Sequence, residues 1–260
     1  MSADDDDHRD GDPLHEDPLH EDPLHEDPWH EDDIHAPRGA FFGRRKGHKL
    51  RPHQADLIDN LLPHLALDIQ APPPDLCSLF DPPAADLRLE IGFGGGEHLV
   101  AEARAHADTG FIGCEPYVNG MAKILAQIEA HNIRNIRLLA GDAAELLAWL
   151  PPRALARLDL IHPDPWPKRR HWKRRFVQDA TIAAMARVLK GDGEFRFVCD
   201  IDDYCAWTLA HLLRSRDFVW TAERADDWRL PWPGYTMTRY GQKATREGRV
   251  AAYLRFRRVD

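Results

Sequence analysis

The chain has 260 residues, enough for one large domain or a domain with a tail, and no apolar run approaches the ~20 residues that a membrane-spanning helix needs. Its acidic start lacks an apolar segment and is expected not to be a secretory signal. The net charge of −9 is unevenly spread: residues 1–35 hold fifteen acidic residues against one base, Arg9, so the remainder is net positive by 5.

An acidic tail on a basic body, with cations clustered at 38–51 and 168–175, points to a nucleic-acid partner. The cysteines Cys77, Cys114, Cys199 and Cys205 show no CxxC pairing, so reduced structural thiols in a cytoplasmic protein are expected.

Residues 1–35 carry a repeat, DPLHE, beginning at Asp12, Asp17 and Asp22, with DPWHE at Asp27. High charge, regular proline and few apolar residues cannot bury a core, so this segment is expected to be disordered. Its six histidines beside carboxylates suit either a metal-buffering tail or plain solvated sequence. Residues 36–51 place Arg44, Arg45, Lys46, Lys49 and Arg51 among glycines, as a flexible arm that follows a phosphate backbone or as a charged linker. A short amphipathic helix follows (Leu57, Ile58, Leu61, Leu62, Leu65), then a Pro-rich connector from Ala71 to Pro83.

The main domain is expected over 84–260, with 36–83 as arm, helix and connector. Its first strand (Leu87, Leu89, Ile91) runs into Glu90-Ile91-Gly92-Phe93-Gly94-Gly95-Gly96-Glu97, with a helix expected over 97–107. Glycines let a backbone approach a ligand closely, and a helix N-terminus offers free N–H groups. The second strand, 110–114, ends at Glu115, about 23 residues after Gly92, the distance at which doubly wound folds place a ribose-binding carboxylate. A helix at 117–131 carries Met121, Ile124, Leu125 and Ile128 as a core stripe, and a third strand, 136–140, ends in Gly141-Asp142.

The fourth strand, 158–161, breaks at His162-Pro163-Asp164-Pro165-Trp166-Pro167. Proline fixes φ and lacks an N–H, so this loop is stiff and cannot extend a sheet ladder. Six cations follow within eight residues (Lys168, Arg169, Arg170, Lys173, Arg174, Arg175), then a helix pattern through Leu189. A fifth strand, 194–199, ends at Asp200. Helix 202–215, a strand from Phe218 to Thr221 and a closing strand from Val250 to Phe256 complete the chain, with the last pair expected antiparallel.

Each of the first five strands therefore carries one acid at or near its C-terminal end: Glu90, Glu115, Asp142, Asp164 and Asp200. Single acids at such places usually cap helices. Five in βα register along one sheet edge, where α/β folds bind ligands, point to a site. The helices between strands imply a parallel sheet with right-handed crossovers.

A nicotinamide-binding domain would show G-x-G-x-x-G, whereas this chain has Glu-x-Gly-x-Gly-Gly-Gly. That resembles motif I of class I S-adenosylmethionine methyltransferases, a Rossmann-like fold with a seven-stranded mostly parallel sheet, an antiparallel last strand and helices on both faces. Glu90-Ile91-Gly92-Phe93-Gly94, Gly113-x-Glu115, Gly141-Asp142-Ala143, Pro163-Asp164-Pro165-Trp166-Pro167-Lys168, Lys173-Arg174-Arg175 and Thr238-Arg239-Tyr240 together resemble the bacterial tRNA (guanine-N7)-methyltransferase family over roughly residues 38–257. The resemblance implies methyl transfer from S-adenosyl-L-methionine to N7 of a guanine at variable-loop position 46 of tRNA, giving 7-methylguanosine.

The resemblance also implies roles. Glu90, Gly92, Gly94, Glu115, Asp142 and Asp164 would line the cofactor site, with Asp164 the catalytic acid residue. Lys168, Asp200, Thr238, Arg239, Tyr240 and Gly241 would meet the guanosine. Arg44, Arg45, Lys173, Arg174 and Arg175 would follow the tRNA backbone, and no metal is required. Trp166 reads as a stacking surface for a flipped base or as a core aromatic closing the loop. The family usually has glutamate where this chain has Gly241. A glutamate accepts from the guanine N1–H or amino group and glycine cannot, so Asp200 or a backbone carbonyl is left to substitute. Trp172 also stands where a polar residue is common, which would extend the stacking surface.

Two other readings stay open. Asp164-Pro165-Trp166 resembles the D-P-P-Y loop of enzymes that methylate exocyclic amines, which the product would distinguish. A catalytically weak RNA-binding protein that kept the fold would bind cofactor poorly. The sequence leaves monomer and homodimer open and implies no obligate protein partner.

Overall fold

The computed structural model describes residues 42–43, 45–71 and 74–260; the DPLHE repeat tail and Arg44 lie outside the described residues. Strands β1 (Asp86–Ile91), β2 (Thr109–Cys114), β3 (Ile136–Leu139), β4 (Leu155–Ile161), β5 (Leu189–Cys199), β6 (Phe218–Trp220) and β7 (Ala252–Arg258) form one sheet in the order β3-β2-β1-β4-β5-β7-β6. β1 pairs in parallel with both β2 and β4, β3 and β5 extend the parallel set, and β7 is antiparallel to β5 and β6. The strand order reverses between β1 and β4, the point at which doubly wound sheets open a crevice at their C-terminal edge.

The sequence dictates burial on both faces of the sheet. β2 is buried at every position, and β4 at all but one. Alternation splits the apolar residues into two clusters. One gathers Phe111 and Ile136 with Leu99 of α3 (Glu97–Ala105) and Met121, Ile124 and Leu125 of α4 (Val118–His131). The other gathers Leu89, Ile112, Leu158 and Phe197 with side chains of α5 (Ala143–Trp149), α6 (Asp179–Val188) and α7 (Asp202–Arg214). The segment before β1 joins both: α1 (Pro52–Asn60) and α2 (Leu62–Leu65) give Leu57 and Leu65 to the first, and the connector gives Leu76 and Phe80 to the second. Leu67 N–H also donates to Leu138 O at 2.9 Å, lengthening the β3 edge.

Elements differ from expectation mainly at their ends. β4 begins at Leu155 and β5 at Leu189, because the two pair there before a register shift between Leu155 and Arg157. The basic run forms a short 3₁₀ helix, Arg169–Arg174, ahead of α6. The last strands are antiparallel as expected, but not through a short loop. The connection from β6 to β7 carries α8 (Asp226–Arg229) and α9 (Arg239–Arg246), stays at the C-terminal edge, and sends β7 back between β5 and β6.

Candidate active site

A cavity of about 670 Å³ opens at the C-terminal ends of β1 to β5. Each strand contributes its exit: Gly92 and Gly94 after β1, Glu115 after β2, Asp142 after β3, the stretch His162–Trp166 after β4, and Asp200 after β5. Tyr240 and Lys243 of α9, with Arg249, close one side, and Phe42 with Gly43 another. No helix among the described residues is long and apolar enough to cross a membrane.

The floor is tied together by Glu115. Its Oε2 accepts from Gly94 N–H at 2.8 Å and its Oε1 from Tyr117 N–H at 3.0 Å, so one carboxylate fixes the glycine loop to the start of α4. Burial raises its pKa, while these two N–H donors oppose that. Gly92 sits at φ 69° with nothing within 4 Å of where a Cβ would stand, which leaves bare backbone facing the cavity. Asp142 caps α5, accepting from Ala144 N–H at 2.8 Å. Carboxylates beside exposed glycine backbone fit an adenosine-bearing group with ribose hydroxyls to donate and a cationic centre to attract.

The loop after β4 is stiffened at both ends of its acid. His162 has φ 50° and Trp166 φ 45°, left-handed values that side chains adopt at a cost and that cluster at functional sites. Between them the Asp164 carboxylate makes no hydrogen bond or ion pair with the described residues. The surrounding protein desolvates it and raises its pKa. Trp166 is held by the Arg174 guanidinium 5.0 Å from its ring centroid, and Arg174 also lies 5.3 Å from the Phe42 ring.

Asp200 anchors the far wall. Its Oδ1 lies 2.9 Å from His162 Nδ1, and its Oδ2 accepts from Arg249 Nε at 2.6 Å. Burial pushes Asp200 up, but the hydrogen bonds from Arg249 and His162 outweigh it and hold the carboxyl below the ordinary aspartate value.

A family model described as "Putative methyltransferase" matches residues 84–254. A protein of Bradyrhizobium diazoefficiens named tRNA (guanine-N(7)-)-methyltransferase is 81% identical over 220 residues, covering 84% of this chain and 93% of that one. The chain belongs to the tRNA (guanine-N(7)-)-methyltransferase family. A Rhodopseudomonas palustris member of the same name is 77% identical over 223 residues, covering 85% of this chain and 84% of its own. A solved structure described as an antibiotic-related methyltransferase aligns with a TM-score of 0.47 at 16% identity, covering 67% of this chain and 87% of that one.

The cavity gathers many of the residues that resemblance to this family nominates. Gly92, Gly94, Glu115, Asp142, Asp164, Asp200 and Tyr240 line it, and Lys173 and Arg174 stand on its rim. Glu90 does not reach it: on the face of β1 toward α3 it is 2% exposed, with Oε2 2.8 Å from His98 Nδ1. Thr238 is buried as the cap of α9, accepting from Gly241 N–H at 3.2 Å. Lys168 is exposed outside the cavity wall, and Arg239 reaches toward Glu97 at 3.9 Å. Arg45 is exposed, its carbonyl accepting from Val118 N–H at 3.0 Å.

Arg175 corrects an expectation. It is 1% exposed, and its guanidinium lies among the rings of Trp172 (4.9 Å), Tyr204 (5.0 Å) and Trp207 (5.2 Å). Its Nε donates to Pro165 O at 3.0 Å and its Nη2 pairs with Asp203. No phosphate reaches a cation so enclosed; it buttresses the proline loop. Trp172 belongs to the same enclosure, packed edge-on to Trp207, and does not extend the stacking surface of Trp166. Sequence reasoning gave His162 and Arg249 no role. His162 sits directly before the proline loop, a signal that was available. Arg249 lies 49 residues from Asp200 and carries no local signature.

Proposed function

We propose that the protein transfers the methyl group of S-adenosyl-L-methionine to N7 of a guanine in tRNA, at variable-loop position 46, forming 7-methylguanosine. The observation that carries this reading, beside family membership, is a cavity whose strand-end wall is acidic and whose rim is basic: Glu115, Asp142 and Asp164 within, Lys173, Arg174 and Lys243 outside. A sulfonium favours the first and a polyphosphate backbone the second.

S-adenosylmethionine supplies an electrophilic methyl group on positively charged sulfur. Gly92, Gly94, Glu115 and Asp142 would hold it, with the remaining lone pairs of Glu115 open to ribose hydroxyls. Guanine N7 carries a free lone pair, so no residue has to remove a proton before attack, and the protein's work is alignment and charge stabilisation. Asp164, with no partner among the described residues, stays free to stabilise positive charge as it passes onto the base. Tyr240, 46% exposed at the cavity edge, and Trp166 offer aromatic surface to an unstacked base. Arg45, Lys173 and Arg174 would follow the RNA backbone.

The test uses purified protein, S-adenosylmethionine and an unmodified tRNA transcript, followed by digestion and mass spectrometry. The expected product is 7-methylguanosine at one variable-loop site. A methylated exocyclic amine, or no methylated nucleoside, would refute the assignment.

A further inference from the structure

His162 is a buried polar side chain with one half unused. Its side chain is 4% exposed, and its Nδ1 lies 2.9 Å from Asp200 Oδ1. Asp200 also accepts from Arg249, which holds it ionised, so its oxygens only accept and the proton of that hydrogen bond sits on His162 Nδ1. Burial lowers the imidazole's pKa, with Arg249 adding to the effect and Asp200 opposing it, so the ring is neutral near pH 7. A neutral ring with its proton on Nδ1 presents a bare lone pair at Nε2. That nitrogen is buried and has no hydrogen-bond partner among the described residues. A buried polar atom left unpaired costs stability, a cost that is tolerated where the atom serves a ligand.

The surroundings show why Nε2 is unpaired. A Cβ built on Gly241 would stand 3.2 Å from it and 3.0 Å from Met237 Cγ. Gly241 is therefore what leaves Nε2 uncrowded on this side. Met237, 43% exposed and unbranched, borders the same place. His162 is itself a cavity-lining residue, two positions before Asp164 on the same stiff loop.

We propose that His162 is a specificity-determining residue: its Nε2, left uncrowded by Gly241 and oriented through Asp200 and Arg249, accepts a hydrogen bond from the N1–H and exocyclic amino edge of the target guanine once the Met237 side chain moves aside. This rests on the guanine reading above and deepens it. An acceptor at this point matches the donors of guanine and repels adenine, whose N1 is itself an acceptor. The opposite edge of the base, with N7, is left to face the methyl donor near Asp164. Gly241 and His162 are in this view one device, since any side chain at 241 would occupy the place of the contact.

The experiment measures kcat/KM for unmodified tRNA transcript by 7-methylguanosine formation, with S-adenosylmethionine affinity measured separately by calorimetry. His162→Ala is expected to lower kcat/KM by on the order of tenfold or more while leaving cofactor affinity within about twofold. In the His162→Ala/Gly241→Glu double variant a carboxylate enters the vacated space from the other side, and activity is expected to recover by several-fold, which a purely structural histidine would not allow. Gly241→Ala alone, which removes no hydrogen bond, is expected to lower kcat/KM several-fold by crowding Nε2, and serves where His162→Ala does not fold. Wild-type rates in either single variant, or a double variant no better than His162→Ala, would overturn the assignment of His162 alone. A wild-type protein that forms no 7-methylguanosine would overturn the guanine reading and this proposal with it.

Discussion

Arg175→Ala separates a buried brace from a phosphate ligand. In the folded protein the guanidinium faces three aromatic rings within about 5 Å, donates to Pro165 O and pairs with Asp203. Asp203 is 54% exposed, so the ion pair contributes under ~1 kcal/mol. A desolvated cation–π contact is worth about 2 kcal/mol and three rings do not triple it; the charged hydrogen bond to Pro165 adds about 1.5 kcal/mol. With the void left by a large buried side chain, the loss is roughly 3–5 kcal/mol. For a domain of this size that lowers Tm by roughly 6–20 °C. The assay is urea and thermal unfolding, with tRNA affinity measured against salt below the transition. A loss under ~1 kcal/mol together with a salt slope reduced by ~0.7–0.9 would show that Arg175 meets phosphate and refute the buried placement.

Arg174→Gln is expected to do the reverse: reduce the salt slope of tRNA binding by ~0.7–0.9 while costing no more than about 1 kcal/mol of stability, since its contacts to Trp166 and Phe42 are half exposed. Asp164→Asn is expected to keep S-adenosylmethionine affinity within an order of magnitude and slow single-turnover methylation by ~10–100-fold, about 2 kcal/mol for half a charge near 4 Å at an effective dielectric of ~20; an unchanged rate removes Asp164 from the mechanism. The protein around the Asp164 carboxylate partly desolvates it and raises its pKa, so the wild-type rate is expected to fall with acidification through a value above the ordinary aspartate one, and that limb is expected to vanish in Asp164→Asn. Glu102→Gln leaves buried Arg157 with Asp159 as its remaining carboxylate and is expected to cost about 3 kcal/mol, measured in urea. Burial pushes Glu102 up, but Arg157 outweighs this and its folded pKa is lowered. Its stabilisation is thus complete above the unfolded value near 4.5 and lost as pH falls through the lower folded one, a loss the Gln variant does not show.

The strand-end acids were legible because βα periodicity fixes where each strand stops, and a parallel sheet brings those stops to one edge. Glu115, Asp142, Asp164 and Asp200 all reach the cavity. Glu90 does not, because it stands inside β1 and its parity turns it toward α3 and His98. Side chains reached across long sequence distances were not legible. The Asp200–Arg249 contact spans 49 residues, and the enclosure of Arg175 needs Tyr204 and Trp207 from α7. Nothing in a run of six cations marks which one turns inward.

That inward turn bears on how one site holds opposite charges close together. A cavity that attracts a sulfonium must be acidic, and a surface that attracts RNA must be basic. Were the basic run mobile, its cations would fold onto the carboxylates and neutralise both. The sequence prevents this mechanically. Prolines 163, 165 and 167 stiffen the loop that presents Asp164, and Arg175 locks the Pro165 carbonyl from behind. Arg174 is pinned over Trp166 on the rim. Asp164 is thereby left without a cation partner among the described residues, as the role proposed for it requires. Loosening the brace at Arg175 should therefore slow catalysis through Asp164 even at temperatures where the fold survives.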